Sequence, residues 1–110
     1  RGLGDVYKRQ RFKWALTEDD PLIKAYEEGD WVQLDDCCRG DIEPALAMLD
    51  GLHAKWAQLL ESMTQQQYAR TFRHPQSGET VDLWLALNSY AWHSRHHTGQ
   101  ILWVRQQHGW

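Results

Sequence analysis

Cysteine is scarce in this sequence. Cys37 and Cys38 are the only two, and because they are neighbours they cannot staple distant segments, which excludes a disulfide-framed secreted scaffold. They lie in an acidic stretch, which raises a thiol's pKa, so they read as ordinary reduced residues and the cytoplasm is the expected location. Long apolar runs are missing too: nothing approaches the roughly 20 residues of a membrane-spanning helix, so no membrane role is expected. Excess positive charge is absent, with 12 Lys and Arg against 15 Asp and Glu and a net charge of −3, which argues against a nucleic-acid partner. At 110 residues there is no room for a second core. There is no useful period-two alternation, strand–helix alternation, internal repeat or low-complexity tract, which leaves β-rich, α/β and solenoid folds without support.

An initiator methionine and a recognisable signal or transit peptide are also missing. The opening decapeptide Arg1 to Gln10 (RGLGDVYKRQ) differs in character from the rest of the chain and reads as a non-native assembly or adapter scar, to be set aside before reasoning about fold. Without it the chain has 9 basic and 14 acidic residues, a net charge of −5, so the remainder (11–110) is distinctly acidic.

What is present is helical patterning. Phe12, Ala15 and Leu16 share one face of the tail of a helix that ends in acidic residues before Pro21. Pro21 to Gly40 shows little periodicity and predicts a long, polar, irregular crossing with at most a short helical turn. Asp41 is a good N-cap, with Glu43 and Pro44 in the first turn. From it Ala45, Met48, Leu49, Leu52, Trp56, Leu59, Leu60 and Met63 recur at helical steps. Thr64 and Gln67 match a capping box. Thr71 to Gly78 then predicts an extended piece and a turn, and Thr80 can cap a last helix running from Val81 to about Gln107. In that helix Leu83, Leu87, Tyr90, Ser94, His97, Ile101 and Val104 alternate steps of four and three, the seam of a helix in a bundle.

The chemistry concentrates in Trp92 to His97 (WHSRHH). His93 and His97 stand one turn apart with ring directions about 40° apart, close enough to chelate one ion, and both are expected to face the bundle interior beside Tyr90 and Ala86. His96 points about 100° away from His97 and reads as a surface or supporting residue. Imidazole suits zinc, nickel, copper or iron, and a catalytic zinc takes three protein ligands, so the pair is one short. A hydrogen-bonded histidine pair packed in the core fits the same spacing. His53 and His74 are possible third ligands, for which packing is the simpler role. No carboxylate falls on the inward face of the last helix near His93 to act as a base. Asp82, about three turns away, suits the helix dipole better. Trp92 and Trp103 project opposite the seam, where something is expected to cover them, whereas Trp14, Trp56 and Trp84 read as core or rim packing.

Four blocks, RFKWALTEDDPLIKAYEEGDW, LHAKWAQLL, TFRHPQSGE and YAWHSRHHTGQI, closely resemble the YfiT-like branch of the DinB-like superfamily, over Arg11 to Trp110. The resemblance implies an all-α, up-down four-helix bundle binding a divalent metal, zinc or nickel, through three histidines. It also implies metal-dependent hydrolase activity or, as in related members, bacillithiol S-transferase activity with a low-molecular-weight thiol. The family's last-helix ligands fall on His93 and His97. Its third ligand lies in a second helix upstream of Phe12, in a region of roughly seventy residues without a counterpart here. A partial bundle is therefore expected, lacking the N-terminal helix and most of the second, and inactive as it stands. In the parent, the metal would acidify a bound water or activate a thiolate. The expected partners are a small-molecule substrate and a second copy in a homodimer. The rival expectation is a non-catalytic bundle that dimerises through its last helix by Trp92 and Trp103.

Overall fold

Three long helices, joined by a crossing segment and a short hairpin, carry the fold. The computed structural model describes residues 2–110, with side chains from residue 4 onward, and Arg1 of the decapeptide lies outside the described residues. Helix α1 spans Gly2–Thr17 without interruption, so the helix does not first appear at Arg11, and residues 2–10 of the segment set aside form its opening turns. No proline or glycine occurs between Asp5 and Thr17 to break it. Its inner face carries Asp5, Phe12 and Ala15, all nearly inaccessible to water. The end of α1 leaves carbonyls without helical partners, and Arg70 supplies them: its guanidinium donates to the carbonyls of Ala15 and, at 2.7 Å, of Glu18. Asp20 then takes a left-handed conformation with φ 45°, which aspartate tolerates better than most residues, and accepts a hydrogen bond from Thr71.

The crossing holds more order than its sequence pattern predicts. It contains two single-turn helices, α2 (Glu28–Trp31) and α3 (Asp35–Cys38), and is anchored by Ile23, which is 2% exposed and donates its N–H to the carbonyl of Arg73. Helix α4 spans Ile42–Ser62 and starts where expected, with the Asp41 carboxylate accepting the N–H of Glu43. Its apolar stripe is buried in only one half. Trp56 is in the core and Leu59, Leu60 and Met63 pack on it, while Ala45 and Met48 stand exposed.

Helix α5 (Gln65–Tyr68) carries the complete capping box between Thr64 and Gln67. Strands β1 (Thr71–Arg73) and β2 (Thr80–Asp82) pair antiparallel with Phe72 opposite Val81, and the turn between them closes through Gly78 at φ 69°. The second strand corrects the expectation for Thr80 and Val81. Both belong to β2, and the last helix, α6 (Leu83–His108), is capped by Asp82, whose carboxylate accepts the N–H of Leu85 at 2.7 Å. Gly109, at φ 67°, ends it in the left-handed conformation that glycine adopts most easily.

The core gathers where α1, α4 and the first half of α6 meet the hairpin. Phe12, Trp56 and Tyr90, one from each long helix, stand 5.8 to 6.3 Å apart between ring centroids in edge and tilted arrangements. Phe72, Leu83 and Ala86 complete the buried set. The α6 seam follows the expected spacing, but its burial stops part-way. Leu83 is buried and Leu87, Tyr90 and Ser94 are half-buried, whereas His97, Ile101 and Val104 are exposed.

Candidate functional site

His93 and His97 meet on α6. One helical turn brings the rings to 4.4 Å between centroids, and their Nε2 atoms lie 2.7 Å apart. Two nitrogens each about 2.1 Å from one zinc at a tetrahedral angle are about 3.4 Å apart, so a small rotation of either ring opens the pair to ligand spacing. The Nδ1 of His97 lies 2.9 Å from the amide oxygen of Gln100. The donor set therefore fits a divalent ion on two of its coordination positions. Among the described residues no third His, Cys, Asp or Glu joins them.

The surroundings differ from the expectation of a buried pair. Both rings are exposed, because the part of α6 that carries them runs past the core, and they form one wall of an open cavity of about 740 Å³. That volume lies in the usual range for small-molecule sites. Helix α1 contributes Tyr7, Lys8 and Arg11 to the walls, the crossing contributes Tyr26, Glu28 and Trp31, and α6 adds Tyr90 and Gln100. Tyr7 and Tyr26 stack at 4.3 Å, and Trp31 presses edge-on against both at 5.6 and 5.4 Å. The ammonium of Lys8 sits 5.2 Å above the Tyr90 ring. Burial pushes the Tyr90 hydroxyl up, and its hydrogen bond from Arg11 offsets part of that, so Tyr90 stays a neutral donor at physiological pH. Burial, then the Glu28 charge, raises Tyr26 likewise.

These α1 and crossing residues were missed from the sequence. Tyr7 and Lys8 lie in the segment set aside, and Tyr26, Glu28 and Trp31 lie in one read as a polar crossing; the recurrence of aromatic residues there was the available signal. Glu28 is the carboxylate among the cavity's lining residues.

The other histidines are placed elsewhere. His53 lies 3.0 Å from the buried carboxylate of Asp5, which also holds Lys8 at 3.1 Å. His74 sits in the hairpin turn, where its Nδ1 accepts the N–H groups of Gln76 and Ser77. His96 is exposed and stacks on Trp92 at 4.9 Å. Trp92 and Trp103, expected to be covered, are 63% and 62% exposed. Both cysteines are exposed, and Cys37 is pushed up by local desolvation and then by Asp36, which leaves it a poor nucleophile.

The chain is similar to proteins of the same architecture. It is 45% identical over 100 residues to a presumed metal-dependent hydrolase of Geobacillus kaustophilus, covering 91% of this chain and 56% of the relative. A presumed metal-dependent hydrolase of Geobacillus thermodenitrificans is 43% identical over the same shares. Among solved structures it superposes on YfiT from Bacillus subtilis, described as a probable metal-dependent hydrolase with an unusual four-helix bundle topology. The TM-score is 0.92 at 38% identity, over 99% of this chain and 62% of that one. The chain thus spans little more than half the length of the curated relatives it matches. These matches do not bear out its reading as the C-terminal portion alone. The profile of the DinB superfamily matches residues 3–101, which takes in α4, nearly all of α1, α6 as far as Ile101, the cavity walls and the histidine pair. The chain belongs to the DinB superfamily.

Proposed function

We propose that this chain serves metal-dependent hydrolysis of a small molecule, with His93 and His97 as two ligands of a divalent metal, zinc or nickel by donor type. The observation that carries the reading is the convergence of the two Nε2 atoms to 2.7 Å on the wall of a cavity. A metal held there supplies a Lewis acid and an acidified water. The chain's own residues do the rest. The stacked Tyr7 and Tyr26, with Trp31 edge-on to both, offer apolar contact to a substrate, and Arg11 and the Tyr90 hydroxyl offer hydrogen bonds that orient it. Glu28 is the wall's carboxylate and the group type that takes a proton from an attacking water. Relatives named for hydrolysis support this reaction over thiol transfer.

Equilibrium dialysis against zinc or nickel tests the ligand assignment. The wild-type chain is expected to take up metal, and the double variant His93→Ala/His97→Ala to lose that uptake. Equal uptake by both proteins refutes the assignment.

A second reading rests on a separate observation. Trp92, Ile101, Leu102 and Trp103 are each more than half exposed along the distal part of α6, an apolar surface that a second copy of the chain would cover. Sedimentation is expected to show concentration-dependent dimers that Trp103→Ala weakens without changing metal uptake. A monomer at all concentrations rules this out.

A further inference from the structure

We infer that Gln100 is a positioning residue for the histidine pair: its amide oxygen fixes His97 as the Nδ1–H tautomer and so presents an unprotonated Nε2 to His93. The inference rests on the reading of His93 and His97 as metal ligands. Three features carry it. The Gln100 Oε1 lies 2.9 Å from His97 Nδ1, and an amide oxygen only accepts, so the proton of that hydrogen bond belongs to Nδ1. A neutral imidazole holds one N–H, and a proton on Nδ1 leaves Nε2 with a bare lone pair. That lone pair faces His93, whose Nε2 lies 2.7 Å away, so with His97 in this tautomer a hydrogen bond between the rings requires the hydrogen to sit on His93. Gln100 follows His97 by three residues on α6, so the helix itself sets the approach and the arrangement needs no other element.

The consequence is a division of labour within the pair. His97 is held ready to bind, while a neutral His93 has first to exchange its Nε2 proton through water for one on Nδ1 before its own lone pair can meet a cation. A partner on the far ring nitrogen also raises the basicity of a ligand and limits ring rotation, and losing such a partner commonly lowers metal affinity by about 10- to 100-fold. Because both residues are open to water, which competes for the same hydrogen bond, the lower end of that range is the expected effect.

The test uses Gln100→Ala, which removes the acceptor from an exposed helical position, and Gln100→Glu, which keeps one. Long-range nitrogen–proton correlation spectra of the metal-free protein at pH 8 read the tautomer directly. His97 is expected as Nδ1–H in the wild type and in Gln100→Glu, and as a mixture in Gln100→Ala. Zinc titration by calorimetry is expected to show about tenfold weaker binding for Gln100→Ala and wild-type or tighter binding for Gln100→Glu. An Nε2–H tautomer at His97 in the wild type, or a tautomer unchanged in Gln100→Ala, overturns the inference. So does equal loss of affinity in both variants, since a merely structural role would not distinguish an acceptor from its absence. A wild-type protein that binds no zinc refutes the ligand reading instead, and the spectra report the tautomer independently of that result.

Discussion

A carboxylate in an apolar interior survives only with partners, and Asp5 shows how many it takes. Burial pushes its carboxyl up, but hydrogen bonds from Lys8 and His53, together with their charges, outweigh that and hold it below its ordinary value of 3.8. A carboxyl that releases its proton more readily when folded stabilises the fold above its unfolded pKa and loses that contribution as pH falls through the folded one. Urea midpoints are therefore expected to fall as the pH is lowered below about 4, and Asp5→Asn is expected to flatten this dependence. At pH 7 the same variant is expected to lose about 1–2 kcal/mol, because the bonds from Lys8 and His53 then end on a neutral amide instead of a carboxylate. An unaltered acid profile in Asp5→Asn would show that other carboxyls govern it. None of this was legible in the sequence, since Asp5 and His53 are 48 positions apart and nothing local connects them. The histidine pair was legible for the opposite reason. Its geometry is set by one turn of helix, which spacing alone fixes.

Local capping chemistry made two helix starts readable in advance. Asp41 and the Thr64–Gln67 box act as their sequence positions suggest, because a cap needs only a side-chain oxygen two or three residues from an N–H. The start of α6 was misplaced by two residues because Thr80 and Asp82 are both good caps, and only the pairing of Thr80 with Arg73 across the hairpin takes Thr80 out of contention. Asp82→Ala is therefore expected to cost about 1 kcal/mol in urea unfolding, and Thr80→Ala clearly less; the reverse order would restore Thr80 as the cap. The crossing was misjudged for a similar reason. Its order comes from contacts made at a distance, through Ile23 on the hairpin and through Tyr26 stacked on, and Trp31 edge-on to, Tyr7 of α1.

Across the whole molecule, apolar pattern and burial part company. The α6 seam continues to Val104, yet burial ends near Ser94, and the stripe of α4 is likewise covered only in the half that meets α1. Periodicity states which face of a helix is apolar; how far that face is covered depends on what crosses it. The helical class, the caps and the neighbouring imidazoles were determined by the sequence itself, since each depends on residues within about one turn of one another. The cavity, its aromatic wall, the buried Asp5 and the exposure of the histidines were decided by tertiary structure alone, because packing α1 against the crossing, α4 and α6 joins residues from 19 positions apart (Tyr7 and Tyr26) to 79 apart (Arg11 and Tyr90), and no local rule encodes contacts of that range.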